Sequence, residues 1–272
     1  MKVIIMIVSL ALPALGDELR VLSFNVRHAT GMDGAVALER QAEIINNSKA
    51  QVIGLQEIDK SCRRSGNIDQ AVAFAAQTSS SAHFAAFMKF DGGEYGMAML
   101  SKLPADNVRA AELPAGREPR VAIVLEVETA SKHRVLVANV HFDWTDEKLR
   151  IPQAKALIAH LDKQPLPAIV LGDYNAEPDS PTLQLFRDAG FRFMAKPEGE
   201  SFTWNAKNPT AEIDHVAIRD GAAITLTGQD IRVLGEPEAS DHRPVLARIR
   251  VTAATAPPQK ESPASPVDPL SD

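Results

Sequence analysis

The amino-acid sequence predicts one α/β domain in which two β-sheets pack face to face, with helices on the outside. Three features support this prediction. Short apolar runs of strand length recur along the chain, segments with apolar side chains at helical spacing lie between them, and successive strands are joined both through helices and through short polar turns. Connections of both kinds predict a mixed sheet.

The first part of the chain alternates strands and helices. Residues 19–25 and 51–56 are apolar runs that predict strands, and residues 36–47 between them have helical apolar spacing. A second amphipathic helix is expected after Ile68, and residues 83–90 predict a strand that ends at an Asp-Gly-Gly turn.

The middle of the chain contains a predicted antiparallel pair. Residues 121–128 and 134–141 are β-rich runs joined by a short polar turn, a pattern that favours antiparallel neighbours over a crossover. Residues 146–161 predict a helix, in which Pro152 restricts the position of the first turn. Residues 167–171 predict a buried strand.

The last third returns to strands after one more helix. Ser180 followed by Pro181 is a good helix start, because serine caps the helix and proline suits the first helical position. Strands are expected at residues 212–218, 224–234 and 244–251.

The two ends differ in composition from the domain between them. Residues 1–16 combine Lys2, an apolar run and small residues before Asp17, a pattern typical of a signal peptide. We therefore expect a mature catalytic domain at residues 17–251 that is exported to the periplasm or the extracellular medium. Residues 252–272 are rich in Ala, Pro and Ser and predict a disordered tail.

Charge and cysteine content restrict the class of partner. The chain has 29 basic and 35 acidic residues, a net charge of −6, whereas proteins that bind duplex DNA usually present a basic face. A nucleic-acid substrate is therefore not favoured. Cys62 is the single cysteine, so an internal disulfide is excluded. Since no segment is long and apolar enough to serve as a stable membrane anchor, we expect a monomer without one.

Polar residues that can bind metals or transfer protons lie where predicted strands end. Asn25 and His141 end two predicted strands, Glu57 and residues 172–175 follow two others, and residues 240–242 precede the last. Because strand ends in packed sheets converge on one edge, ligand sites collect there. Carboxylate, amide and imidazole groups without thiolate favour Mg²⁺ or Mn²⁺ over structural zinc.

Taken in order, seven segments resemble the successive signatures of the endonuclease/exonuclease/phosphatase family. They are Ser23-Phe24-Asn25, Leu55-Gln56-Glu57, residues 96–101, Val140-His141, Gly172-Asp173-Tyr174-Asn175, Ile213-Asp214 and residues 240–244. The resemblance implies a DNase I-like, four-layer α/β sandwich. It also implies a hydrolase of phosphoester bonds, dependent on Mg²⁺ or Mn²⁺, in which water attacks phosphorus directly.

The resemblance also implies a role for each matching residue. Glu57 would be the principal metal ligand, with Asn25 beside it and Asp241 nearby or in contact with the ligands. The metal would bind a phosphate oxygen and neutralise charge in the transition state.

Five further residues would perform the catalysis. In family terms Asp173 orients or deprotonates the attacking water, while Asn175 and His141 contact the phosphoryl oxygens. His242 would be oriented by Asp214. Either Asp173 or His242 could be the general base.

Two residues are candidates for binding the substrate, and two depart from the family's pattern. Arg64 could contact an anionic substrate, although a loop position would explain it equally. Tyr95 could line the site, but a packing role explains it better. Tyr174 stands where phenylalanine is common, and His215 stands where an aromatic residue usually follows the aspartate. We interpret His215 as a strand residue rather than an extra ligand.

Each site residue also has an ordinary structural interpretation. Asn25 and residues 172–175 could be turn residues, Glu57 a solvated carboxylate, and Asp241 a loop cap. Independent turns, however, need not place a complementary set at successive strand ends. We therefore expect an exported phosphodiesterase or phosphatase acting on a small molecule or lipid headgroup. A secreted nuclease is the alternative, and an inactive binding module on the same fold is a third.

Overall fold

Residues 16–254 are described by the structure, which is a computed structural model. The predicted signal peptide, apart from residue 16, and residues 255–272 of the predicted tail lie outside the described residues. The last strand continues through Thr252 and Ala253, the first two residues assigned to that tail. Within residues 16–254, no helix is long and apolar enough to cross a membrane.

Strands and helices are numbered here in chain order. The strands are β1 Asp17–Asn25, β2 Val52–Lys60, β3 Ser81–Phe90, β4 Gly93–Ser101, β5 Ala105–Leu113, β6 Arg120–Glu128, β7 Arg134–His141, β8 Ala168–Asp173, β9 Arg192–Phe193, β10 Asp214–Arg219, β11 Ile224–Val233 and β12 Val245–Ala253. The α-helices are α1 Leu38–Ser48, α2 Gln70–Thr78, α3 Glu147–Leu161 and α4 Pro181–Asp188, and short 3-10 helices occur at Arg27–Ala29 and Arg63–Ser65.

These strands form two mixed six-stranded sheets. The first has the order β11-β12-β1-β2-β4-β3 and the second the order β5-β6-β7-β8-β10-β9. β1 pairs with β2, and β7 with β8, in parallel, while the other named neighbours are antiparallel. The antiparallel pairing of β6 with β7 confirms the prediction from their short polar connection.

The sheets and helices stack in four layers. Side chains alternate between the faces of a strand, so Val21 of β1 joins Leu125 of β6 in the core between the sheets. On the outer face of the first sheet, Ile45 of α1 and Phe74 of α2 form a second core. Leu157 of α3 belongs to a third core, on the outer face of the second sheet. This arrangement confirms the predicted four-layer α/β sandwich.

Some elements differ from the sequence-based prediction. β4, β5 and β9 were not predicted as strands. β5 lies at a sheet edge and is largely exposed, so its sequence lacks the apolar alternation of a half-buried strand. The helix predicted at residues 146–161 is confirmed as α3, with Pro152 inside it, and it begins where the Asp146 carboxylate accepts a hydrogen bond from Lys148 N at 2.8 Å.

Candidate active site

Three predicted site residues lie opposite one another at one end of the second sheet. The pairing registers place His141 of β7 and Asp214 of β10 on either side of Asp173 of β8. Directly opposite residues in paired strands have side chains on the same face. All three side chains are buried, and Asp173 is 1% exposed. The register therefore collects an imidazole and two carboxylates in one row.

Two residues reach this row from the first sheet. Asn25 ends β1, and Glu57 lies at a register shift of β2 with a positive φ of 61°. A bulge of this kind re-aims a side chain. The Asn25 Nδ2 donates to Glu57 Oε1 and to Asp173 Oδ2, both at 3.1 Å. One amide thus links the two sheets at the site.

The turn after β8 orients the Asp173 carboxylate. A side chain at Gly172 would collide with the carbonyl oxygen of Val140 on the neighbouring strand, which explains why glycine is required there. Asn175, with a φ of 49°, donates from its backbone N to Asp173 Oδ1 at 2.9 Å. Its side-chain amide donates to the Phe142 carbonyl at 3.1 Å. The turn therefore holds both Asp173 and Asn175 in place.

His242 is held between two carboxylates. Its Nδ1 lies 2.9 Å from Asp214 Oδ2, and its Nε2 lies 3.6 Å from Asp173 Oδ2. Burial alone would lower the pKa of His242. The negative charges of Asp214 and Asp173 outweigh burial and raise that pKa to about 10. The His242 ring is therefore an imidazolium at neutral pH.

In contrast to His242, Asp173 and His141 have pKa values shifted toward their neutral forms. Burial raises the pKa of Asp173 to about 7, against the opposing charge of His242 and reinforced by Asp214. Burial, together with the charge of Arg120, lowers the pKa of His141 well below 6.5. The site at neutral pH thus combines a charged imidazole, a neutral imidazole and a carboxyl group near its titration midpoint.

Glu57 and Asp241 fit the chemistry of a divalent cation site. Burial raises the pKa of the Glu57 carboxyl, and the charge of Asp241 adds to that effect. A bound cation would relieve this unfavourable arrangement. Asn25 presents its amide nitrogen to the carboxylates, and its oxygen accepts from Arg27 N at 3.1 Å. Ligation by Asn25 would therefore require rotation of the amide.

A second group of atoms is close enough to hold an ion. Ligand atoms of Asp173, Asp214 and His242 all lie within 4.8 Å of one another. The hydrogen bond between His242 and Asp214 already occupies one atom of each. Those two atoms are therefore not free for an ion, and the metal-binding roles of Glu57 and Asp241 stay predictions.

These residues line a cleft of about 470 Å³. Glu57, His141, Asp173, Asn175, Asp241, His242 and Tyr95 are among its lining residues. Asn25 and Asp214 lie behind them and act on them through hydrogen bonds. The structure thus brings together all the predicted catalytic and metal-binding residues, while their roles stay predictions.

Arg64 does not line the cleft. Its guanidinium donates to both carboxylate oxygens of buried Asp59, at 2.8 and 2.7 Å. It also lies 4.4 Å from the ring centroid of Phe90 and 4.9 Å from that of Tyr95. Arg64 therefore supports the position of Tyr95, and its direct contact with a substrate stays a prediction.

The sequence analysis missed four charged or aromatic residues that line the cleft: Glu118, Arg120, Trp144 and Trp204. Arg120 is only 2% exposed. Its Nη1 lies 3.0 Å from Glu118 Oε2, but neither Nη1 nor Nε forms an aligned hydrogen bond within residues 16–254. A buried guanidinium with free donors suits an anion. Arg120 could have been identified from the sequence, because it is a cationic residue immediately before a predicted strand.

His215 is a strand residue, as interpreted from the sequence. Its ring packs edge-on against Tyr174 and Phe193, with centroids 5.4 and 5.7 Å apart. Its Nε2 lies 2.9 Å from the carbonyl oxygen of Ala176. Burial, and then the charge of Lys196, lowers the pKa of His215 to about 4. The ring therefore occupies the aromatic position in neutral form.

Comparisons with known proteins agree with this geometry. The sequence model of the Endonuclease/Exonuclease/phosphatase family matches residues 22–242. No curated protein matched the sequence. A functionally unknown conserved protein from Enterococcus faecalis V583 is similar in structure, with a TM-score of 0.71, 21% identity, and coverage of 87% of this chain and 100% of that protein.

Two other similar structures have a named activity or ligand. A mannosyl-6-phosphatase from Bacteroides thetaiotaomicron VPI-5482 has a TM-score of 0.68 and 17% identity, over 86% of this chain and 99% of its own. TDP2 from D. rerio, complexed with a single-strand DNA product, has a TM-score of 0.69 and 17% identity, over 85% of this chain and 98% of its own. At these identities the likeness shows the shared fold.

Proposed function

This chain belongs to the endonuclease/exonuclease/phosphatase family, and from that membership we propose that it is an exported, divalent-metal-dependent phosphodiesterase or phosphatase. The proposed substrate is a small phosphoester or a lipid headgroup. Water attacks phosphorus directly, the new P–O bond forms with the water oxygen, and the P–O bond to the leaving group breaks.

The bridge that Asn25 makes between Glu57 and Asp173 is the observation that supports this proposal most directly. Its two hydrogen bonds of 3.1 Å place a candidate metal ligand from one sheet beside a candidate base from the other. Metal-assisted attack of water requires both groups at one reacting centre. The inactive-module alternative is disfavoured because this set is complete.

Asp173 is suited to accept a proton from the attacking water. A general base is most effective when its pKa lies near the working pH, and burial raises the pKa of Asp173 to about 7. His242, with a pKa of about 10, is already protonated and so is a poor base. We therefore assign Asp173 as the base and His242 as the imidazolium that stabilises negative charge on the phosphoryl group.

Glu57 and Asp241 would hold Mg²⁺ or Mn²⁺, with Asn25 as a further ligand after rotation of its amide. When bound, the ion supplies positive charge that stabilises the phosphoryl oxygens in the transition state.

Three other groups would bind the phosphoryl group itself. Arg120 offers guanidinium donors that lack aligned protein acceptors within the described residues. His141 is neutral because of burial and can donate one N–H, and Asn175 lines the same cleft. Such donors stabilise charge most strongly when they are fixed before the reaction begins.

The choice of a small substrate rests on charge and on the dimensions of the cleft. Its lining includes four carboxylates, those of Glu57, Glu118, Asp173 and Asp241, and the chain's net charge is −6. A secreted nuclease remains the second candidate because the similar D. rerio TDP2 is complexed with single-strand DNA. Export is proposed from the N-terminal composition alone.

A phosphoester screen tests this function. The purified protein would be assayed with sugar phosphates, nucleotides, phospholipid headgroup esters and single-stranded DNA, each with Mg²⁺, Mn²⁺, Ca²⁺ or EDTA. We expect hydrolysis of a small ester with Mg²⁺ or Mn²⁺ and its loss in EDTA. Activity that survives EDTA would refute the metal-dependent mechanism, and salt-sensitive cleavage of DNA alone would favour the nuclease.

A further inference from the structure

His28 is a partly buried histidine beside Glu57 that has no part in the proposed mechanism. Its Nδ1 lies 4.0 Å from Glu57 Oε2, which is too long for a hydrogen bond. This nitrogen is buried and has no hydrogen-bond partner within residues 16–254. Since buried polar atoms in folded proteins are nearly always paired, the position of His28 requires a physical explanation.

The backbone that presents His28 is strained. Arg27, His28 and Ala29 have φ values of 48°, 44° and 62°, in the left-handed region that L-residues other than glycine rarely adopt and seldom adopt in succession. Glu57, which faces His28, has a φ of 61°. Strain of this kind collects at functional sites, where the surrounding structure maintains it. Both facing side chains are therefore presented by unfavourable backbone conformations.

A buried glutamine joins the strained turn to β2. Gln70 Nε2 donates to the carbonyl oxygen of His28 at 2.8 Å, and Gln70 Oε1 accepts from Asp59 N at 2.9 Å. Gln70 is fully buried. Because Asp59 lies two residues after Glu57 on the same strand, this side chain fixes the backbone of His28 relative to that of Glu57.

An ion pair between a charged His28 ring and Glu57 does not account for this arrangement. Burial, and then the charge of Arg64, lowers the pKa of His28 to about 4, although the carboxylates of Asp59 and Asp241 oppose this shift. The ring is therefore neutral at neutral pH. A neutral imidazole has one nitrogen with a free lone pair, which can bind a cation.

The separation of His28 from Glu57 suits one shared ion. Two atoms that bind the same ion at about 2.1 Å each lie at most about 4.2 Å apart, and the observed 4.0 Å is within that limit. The charge of Asp241 acts on both His28 and Glu57. A cation among these three groups would give His28 Nδ1 a partner and would offset the repulsion between the two carboxylates.

We propose that His28 is a further ligand of the divalent cation, through Nδ1, and that this nitrogen makes the site selective for a transition-metal ion such as Mn²⁺ over Mg²⁺. The inference rests on the proposed function, because it assumes that a cation binds at Glu57 and Asp241. Imidazole is a ligand that transition-metal ions accept readily, whereas Mg²⁺ prefers oxygen ligands and retains water. The strained turn then serves to direct an imidazole at the cation.

Calorimetry of metal binding tests the proposed selectivity. The dissociation constants of Mn²⁺ and Mg²⁺ would be measured for the native protein and for His28→Asn. Asparagine tolerates the left-handed backbone better than most residues, so the turn should be retained while the imidazole is lost. We expect the Kd of Mn²⁺ to rise at least about tenfold and that of Mg²⁺ to rise by less than about threefold.

Pulsed EPR of the bound Mn²⁺ tests ligation directly, because it detects a nitrogen nucleus coordinated to the ion. The native protein should show this nitrogen coupling, and His28→Asn should lose it. His83→Asn is the matched control, because His83 is another partly buried histidine, on β3, and does not line the cleft. This variant should retain both the coupling and the Mn²⁺ affinity. Circular dichroism would verify the folding of both variants.

The outcomes separate the His28 ligand from the proposed function. Unchanged Mn²⁺ affinity in His28→Asn, equal losses of Mn²⁺ and Mg²⁺ affinity, or a nitrogen coupling that is absent from the native protein or retained in His28→Asn would each overturn the inference. Metal-dependent hydrolysis of phosphoesters could still stand in that case. Conversely, a nitrogen coupling and an Mn²⁺ preference that both depend on His28, in a protein that hydrolyses no phosphoester, would uphold the ligand and refute the proposed function.

Discussion

Replacing Asp214 with asparagine removes one negative charge from the buried pair with His242 and changes the side-chain shape little. In the native protein, burial lowers the pKa of His242, but the two neighbouring carboxylates raise it to about 10. Without Asp214, burial is opposed mainly by Asp173. We expect the pKa of His242 to return to its ordinary value of about 6.5 or below.

The kinetic consequence follows from the loss of the imidazolium. At two pH units above its new pKa, about one His242 ring in a hundred would remain protonated. If the imidazolium stabilises the phosphoryl charge, kcat of Asp214→Asn should be about 10²-fold below that of the native protein at pH 8.5. This deficit should shrink about tenfold for each pH unit as the pH falls toward 6.5. KM should change less, because the effect belongs to the transition state.

Two measurements verify this reasoning. Steady-state kinetics from pH 6 to pH 9.5 would give the ratio of variant to native kcat, and NMR titration would follow the His242 ring directly. Asp59→Asn is the matched control, because Asp59 is also a buried carboxylate paired with a cation, Arg64, but lies outside the cleft lining. It should lower stability without giving a pH-dependent kcat ratio. A ratio that stays constant with pH in Asp214→Asn would refute the role assigned to the imidazolium.

Four further predictions concern other groups. Glu57→Gln should weaken Mg²⁺ or Mn²⁺ binding at least tenfold in calorimetry, since one ligand charge is lost, and unchanged affinity would remove Glu57 from the metal site. Arg120→Met should raise KM about tenfold by removing donors that hold the phosphate throughout the reaction. Arg64→Met should instead lower the free energy of unfolding by about 3 kcal/mol, because buried Asp59 loses its partner; a KM increase confined to Arg64→Met would return substrate binding to that residue. His215 has a pKa lowered by burial to about 4, so below pH 6.5 protons bind the unfolded chain more readily and destabilise the fold, by about 3 kcal/mol at pH 4. His215→Gln keeps a donor for Ala176 and should lose less stability than the native protein between pH 7 and pH 4.5 in urea unfolding, whereas parallel losses would contradict the assignment.

The sequence alone determined the class of fold and most of the candidate site. Strand and helix periodicity, caps and tight turns are local properties of the chain, so β1, α1, β2 and the β6–β7 pair could be located without tertiary information. Candidate site residues lie next to strand ends, which is why Asp173 and His242 could be predicted from short motifs. Strands with weak local signals, such as the exposed edge strand β5, were not.

Only the tertiary structure decided how these residues act together. The distance between the sheets, which lets one Asn25 amide contact Glu57 and Asp173, depends on packing of the entire core. The burial that separates the pKa of Asp173 from that of His242 depends on the same packing. The position of Arg120 in the cleft likewise depends on contacts between segments distant in sequence. The local sequence therefore supplies the candidate reactive groups. Long-range packing sets the distances between them, their protonation states and their access to a substrate.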